Sequence, residues 1–285
     1  MSARRALLDL LACALARTPL LVADGLAWLL AWLWWTVLPI RRDVARENIA
    51  AALPGLPARE QARVLRRSLR GLALGYVELL RYLRDPDGCR DMLRTEGLEQ
   101  VHERLRRGQP CLVLQGHFGS WDLVLLAMGQ GRGVALSCIV KPPADPWAAA
   151  LVERARRGRD IELIPPRGAV ERACAALEEG RIVLFTMDQR FNEGAAIPFL
   201  GRPALTPTGL AAVARRTRLP VHQVWQWREG RGRHVMRVEP AFEIAWSDDA
   251  EADLLRATAL FNEALGARVR EHPHNWFWLH RRWKR

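Results

Sequence analysis

Cys111-Leu112-Val113-Leu114-Gln115 runs directly into Gly116-His117-Phe118-Gly119-Ser120-Trp121-Asp122. An apolar run, a glycine-flanked turn and a segment carrying Leu123, Leu125 and Leu126 predict a strand, a turn and a helix that starts near Ser120. In an α/β sheet, ligands gather at the carboxyl ends of strands, and His117 falls there. Asp122 follows five residues on, inside the first helical turn. A loop folding back over the helix start brings its carboxylate to the imidazole. That contact fixes the tautomer and leaves the second nitrogen to take a proton from a hydroxyl. General-base help of this kind contributes roughly 10²–10⁴ in rate. The amide groups of the turn and helix start are placed to stabilise an oxyanion. Taken alone, H-x4-D also describes a capping histidine beside an acid that favours the helix dipole.

Outward from this block, the pattern alternates. Strand signals fall at 111–115, 134–140, 161–164, 182–187, 221–227 and 234–238, and helical stretches at 97–107, 145–157, 169–179 and 207–217 separate several of them. The last strand pair, joined through Glu229-Gly230-Arg231-Gly232, reads as an antiparallel hairpin. A final helix over 249–270 places Leu254, Phe261, Leu265 and Val269 on one face. The fold class is α/β, with a mixed, largely parallel sheet flanked by helices. Upstream, 43–84 reads as helix, with Leu65, Leu69, Leu72, Tyr76, Leu79, Leu80 and Leu83 at three- and four-residue steps and arginines between. Asp85-Pro86-Asp87-Gly88 is a turn cluster.

The N-terminus is different. Pro19 to Pro39 holds one charge, Asp24, and its Gly25–Leu38 part holds none. The segment is about as long as a bilayer span, but its uncharged part fits a buried or interfacial helix equally well. Trp28, Trp32 and Trp35 share one helical face, and tryptophan favours the membrane–water boundary. Arg41, Arg42 and Arg46 follow, as on a cytoplasmic flank that meets anionic headgroups. Asp9 and Arg17 interrupt what a cleaved signal peptide would need. Three stretches result: 1–42 as a hydrophobic membrane anchor, 43–95 as a helical segment packing on the core, and 96–285 as the α/β catalytic domain.

The chain has 285 residues, enough for a sizeable core, and a net charge of +12 that calls for an anionic partner. Of its 43 basic residues all but Lys141 and Lys284 are arginine. Its 12 Trp cluster with apolar runs rather than interleaving with a basic groove, which argues against nucleic acid. Five scattered cysteines without a C-x-x-C pair argue against a disulfide framework and for a reducing compartment. His272, His274 and His280 lack the companion ligands of a metal site, so neither metal nor cofactor is expected.

Several motifs occur in order along nearly the whole chain. They are Arg41-Arg42-Asp43-Val44-Ala45-Arg46-Glu47-Asn48 with Leu53-Pro54, then Glu96-Gly97-Leu98-Glu99 and the H-x4-D block. Arg167-Gly168, Asp188-Gln189 and Pro198-Phe199-Leu200-Gly201 follow, and Trp276 to Lys284 closes the set. Together they resemble the bacterial lipid A biosynthesis acyltransferases, the lauroyl and myristoyl transferases within the glycerolipid acyltransferase superfamily. The resemblance implies a glycerolphosphate-acyltransferase-like fold at the bacterial inner membrane, with its catalytic domain facing the cytoplasm. It implies transfer of an acyl chain from acyl carrier protein, or from acyl coenzyme A, to a hydroxyl of an anionic lipid A precursor. It makes His117 the base and Asp122 its partner, gives Arg167 an anionic group to hold, and has Asp188, with Gln189, support the site. Ser120 stands where the family often has Asn, and Asp122 where it often has Glu; these departures bear on the acceptor and the subfamily. Arg281 and Arg282, among Trp276, Trp278 and Trp283, either face headgroups or line the acceptor site. Three alternatives stand beside this reading: transfer to another bacterial lipid, acyl-ester hydrolysis by the same His–Asp pair, and a nonenzymatic basic membrane-binding protein. No G-x-S-x-G elbow favours the hydrolase.

Overall fold

A computed structural model describes residues 3–37, 40–85, 87–121, 135–141, 145–147, 149–150, 153 and 160–284. Asp122 and the helix expected after Ser120 therefore lie outside the described residues, as does most of the helix expected over 145–157.

Helices α1 (Ala3–Arg17) and α2 (Leu20–Thr36) open the chain and pack on a long helix, α4 (Ala58–Arg84). The buried side of α2 is made of small residues, Ala23, Ala27 and Ala31, spaced four apart, together with Asp24. A stripe of small side chains lets two helices approach closely. Asp24 is held between Arg70 of α4 (2.6 Å) and Arg231 (2.9 Å). The large apolar residues of α1 and α2, among them Leu10, Leu21, Leu26, Trp28, Leu29 and Trp32, point outward. This is the reverse of a water-facing amphipathic helix. Among the described residues, no helix is long and apolar enough to cross a membrane. At 1.5 Å per residue α2 measures only about 26 Å, short of a hydrocarbon core.

The single helix expected over 43–84 is two. Helix α3 (Arg42–Ala52) ends before Leu53-Pro54-Gly55, and Pro57 caps the start of α4. Proline cannot donate into a helical ladder, so the pair Pro54 and Pro57 breaks it. Helix α4 buries Val64, Leu65, Leu69, Leu74, Val77 and Tyr82 and, among them, the carboxylate of Glu78. Tyr76, expected on the apolar stripe, is exposed.

The main sheet combines β1 (Leu93–Glu96), β2 (Leu112–Gln115), β3 (Leu136–Ile139), β4 (Ile161–Ile164), β5 (Ile182–Thr186), β8 (Val221–Gly230) and β9 (Arg233–Glu239). Their spatial order is β1-β9-β8-β2-β5-β3-β4, and every neighbouring pair is parallel except the β8–β9 hairpin. This is the mixed, largely parallel sheet the sequence predicts. Alternate residues face opposite layers: Leu112 and Leu114 join one core, Cys111 and Val113 the other. The first layer is covered by α3, α4, α6 (Ala169–Glu178), α7 (Gly209–Thr217) and α8 (Ala250–Glu271). The second lies under α5 (Leu98–Arg106) and the end of α4. A separate hairpin of β6 (Ala195–Phe199) and β7 (Arg202–Thr206) turns at Leu200-Gly201 and is pinned to α8 by Asn262, which donates to Pro198 O (3.1 Å) and Thr206 Oγ1 (3.1 Å).

Candidate active site

The site is a consequence of strand register. Strands β2 and β5 are parallel neighbours with Gln115 opposite Thr186. Two residues beyond each end stand His117 and Asp188, so the pairing carries both to one spot at the carboxyl edge of the sheet.

There Asp188, 1% exposed, collects three donors. The His117 backbone N–H donates to Oδ2 (2.7 Å), the Trp276 indole N–H donates to the same oxygen (2.7 Å), and His117 Nδ1 lies 2.6 Å from Oδ1. Burial pushes the Asp188 carboxyl up, yet the imidazole and these hydrogen bonds leave it below its ordinary value. With Asp188 ionised, the hydrogen of the imidazole sits on Nδ1 and the lone pair on Nε2, where the Gln189 side-chain amide approaches to 3.2 Å. The rings of Trp121 (5.2 Å between centroids) and Phe277 (6.3 Å) flank the imidazole. Beside this wall a cleft opens towards α4, lined by Leu72, Gly75, Tyr76, Leu79 and Trp121.

The turn carrying His117 is clamped from both ends. Gly119, at φ 52°, lies in the left-handed region that favours glycine, and its N–H donates to Asn275 O (2.7 Å). The Phe277 N–H donates to His117 O (3.1 Å). With the His117 N–H on Asp188 and the Phe118 N–H on Gly116 O (3.0 Å), the amides of His117, Phe118 and Gly119 are all bonded within the protein. These three are therefore not oxyanion donors, and the helix start expected to add others lies outside the described residues.

On the other side, Ser120 Oγ donates to Glu78 Oε2 (3.2 Å) and accepts from Arg228 Nη2 (3.1 Å). Glu78 is 0% exposed and also takes Arg228 Nη2 (2.7 Å), His234 Nε2 (2.9 Å) and the Gly232 N–H (3.2 Å). Burial raises the Glu78 carboxyl, but His234 and Arg228 overcome that and hold it at about 2. A Cβ at Gly75 would stand 2.9 Å from Ser120 Oγ, so only glycine lets α4 come this close. Buried Asn48 of α3 donates to Trp278 O (2.8 Å) and His280 O (2.7 Å), and the Arg190 N–H donates to His280 Nε2 (2.8 Å). Burial lowers His280 to about 4, so it is neutral near pH 7 and accepts at Nε2.

Of the residues expected to form the site, the structure brings together His117, Asp188 and Gln189. Arg167 is exposed on the turn between β4 and α6. Arg281 is exposed, whereas Arg282 is 0% exposed and donates to Leu205 O and Thr206 Oγ1, both 2.7 Å. Trp276 and Trp278 are core residues rather than headgroup contacts. Sequence reading missed Glu78, Arg228, His234 and the role of Trp276. Glu78 carries a signal: it is the one acid in the apolar half of α4.

The site is thus a buried carboxylate, Asp188, holding the imidazole of His117 at the carboxyl edge of an α/β sheet, beside an aromatic wall. The chain belongs to the bacterial lipid A biosynthesis acyltransferase family, whose model matches residues 7–285. It is similar to a phosphatidylinositol mannoside acyltransferase of Mycobacterium tuberculosis (strain CDC 1551 / Oshkosh), 23% identical over 192 residues, or 66% of this chain and 58% of that protein. It is also similar to the lipid A biosynthesis palmitoleoyltransferase of Escherichia coli K12, 22% identical over 249 residues, covering 86% of this chain and 79% of the relative. A lipid A biosynthesis acyltransferase of Shigella flexneri matches to the same extent. The aligned part thus spans under two thirds of the mycobacterial relative's length.

Proposed function

We propose that this chain transfers a fatty acyl group from an acyl thioester to a hydroxyl of an anionic membrane glycolipid, a lipid A precursor or a related acceptor. The observation that carries the proposal is the His117–Asp188 contact of 2.6 Å, with Nε2 left on the side of Gln189 and the aromatic wall. The acceptor hydroxyl displaces the Gln189 amide from Nε2 and gives up its proton there as its oxygen attacks the thioester carbonyl. The carbon–sulfur bond breaks as the ester forms, and the thiolate leaves with the proton returned by His117. Asp188 orients the ring and stabilises the imidazolium. Asp122, which the resemblance makes the partner of His117, lies outside the described residues, and Asp122→Asn beside Asp188→Asn apportions the role between them. Arg167 and Arg281, both exposed, are the arginines we assign to anionic groups of donor or acceptor.

The donor thioester is carried by acyl carrier protein or coenzyme A, both acidic, and a chain of net charge +12 suits either. We place the chain at the inner membrane on its cytoplasmic side, and the outward Leu and Trp residues of α1 and α2 support seating in a membrane interface. The relative named for phosphatidylinositol mannoside favours a second reading, with a different glycolipid as acceptor.

The test is incubation of the purified chain with acyl carrier proteins of several chain lengths, acyl coenzyme A and a panel of lipid A precursors and phosphatidylinositol mannosides, with mass spectrometry of the products. One added acyl chain on one acceptor class is expected. Release of free fatty acid alone would make the chain a hydrolase.

A further inference from the structure

Trp35, in the last turn of α2, gathers three guanidinium groups from two other helices. The carbons of Arg42 (5.7 Å), Arg46 (4.8 Å) and Arg66 (5.7 Å) lie over its ring, and Arg42 also donates to the Trp35 carbonyl. Each ring–cation contact is weakly attractive. Cations gathered this tightly, within about a Debye length of one another, also repel.

Carboxylates do not relieve that repulsion. Arg42 has Asp43 at 4.0 Å, itself 79% exposed, and among the described residues no carboxylate stands within 4.0 Å of Arg46 or Arg66. Three arginines on or next to α2 and α4 are matched: Arg70 and Arg231 hold Asp24, and Arg228 holds Glu78. The unmatched cluster sits where the stripe Trp28–Trp32–Trp35 ends, at the border of the outward apolar face of α2. A ring at that depth in an interface lies level with lipid phosphates.

We infer that Arg42, Arg46 and Arg66, arranged on Trp35, form a binding site for the phosphate of an anionic lipid headgroup in the bilayer. Guanidinium forks match phosphate oxygens two at a time, and one bound phosphate neutralises the repulsion that the fold otherwise leaves in place. The inference rests on the interfacial seating of α2 and is independent of the acyl-transfer chemistry. Its site is separate from His117.

The experiment is co-sedimentation of the full chain with phosphatidylcholine vesicles lacking or containing phosphatidylglycerol, with neither donor nor acceptor present. Arg46→Gln/Arg66→Gln changes exposed residues, and circular dichroism verifies its fold. At about five-fold per arginine, the double variant is expected to bind the anionic vesicles about 25-fold less tightly, with binding to neutral vesicles unchanged. Arg172→Gln/Arg216→Gln, exposed residues of α6 and α7 with the same charge change, is expected to lose less than about two-fold. Equal losses in the two variants would reduce the cluster to part of a general basic surface and overturn the inference. So would saturable binding of inorganic phosphate in solution that Arg46→Gln/Arg66→Gln abolishes, which would make the ligand soluble. Intact vesicle binding with lost binding to acyl carrier protein would give the cluster to a protein partner and equally overturn it. A failed transfer assay leaves all these readouts standing.

Discussion

Asp188 is ionised in a buried site because three donors converge on it, and the indole of Trp276 is the one that does not come from His117. Trp276→Phe keeps the ring and deletes that donor. Losing a hydrogen bond to a charged group costs about 1.5–3 kcal/mol, so kcat should fall roughly ten- to hundred-fold with KM little changed. A carboxylate with fewer donors is easier to protonate, so the acid limb of the pH–rate profile should move to higher pH. A limb that stays in place, or a loss confined to KM, would mean that Trp276 only fills space. His117 is visible in sequence because its turn is flanked by glycines and follows an apolar strand. That Asp188 meets it depends on β2 and β5 being neighbours, a register fixed by pairing over long range and invisible in either segment alone.

Between elements, Glu78 joins α4, the His117 turn and the β8–β9 hairpin through Ser120, Arg228, His234 and Gly232. Glu78→Gln leaves Arg228 buried without its counter-charge and should cost about 3–5 kcal/mol of stability at pH 7 in chemical denaturation. The wild-type carboxyl is held at about 2 against 4.5. Its contribution is therefore complete above pH 4.5 and is lost as pH falls through about 2, so the gap between wild type and variant should close on acidification. A gap that is the same at pH 7 and pH 3 would contradict the charge argument. Periodicity made α5, α6, α7 and α8 legible, because each buries one face, and the central strands β2, β3 and β5 were legible as short apolar runs buried on both sides. It was blind to β1, four residues with an exposed middle, and to β6 and β7, where Pro198 opposite Pro203 hides the strand pattern, and it ran α3 into α4 across Pro54 and Pro57. The C-terminal tryptophans look like a membrane belt by composition, and only their packing against Phe199 and Asp188 shows them to be core.

At the scale of the whole molecule, α2 is built inside out: alanines and a paired Asp24 face the protein, while Trp28 (57% exposed) and Trp32 (48%) face away. That pattern turns the apolar face away from the protein and fixes the helix to the α/β body through Arg70 and Arg231. Trp28→Glu/Trp32→Glu should shift the chain from the membrane to the soluble fraction about ten-fold or more and leave its melting temperature within a few degrees. Unchanged fractionation would remove α2 from the membrane account. The motifs announced the family, but the orientation of this helix was not legible. Trp28 and Trp32 mark an exposed face only once α4 is known to cover the alanines.

All three scales meet in one measurement, the single-turnover transfer of a labelled acyl chain from acyl carrier protein to the accepted glycolipid by wild type, His117→Ala and Asp188→Asn. The account predicts no measurable transfer by His117→Ala and a rate for Asp188→Asn lower by roughly 10²–10⁴, with all three chains equally folded and bound to membrane. Transfer by His117→Ala at the wild-type rate, or Asp188→Asn within about two-fold of wild type, would contradict it.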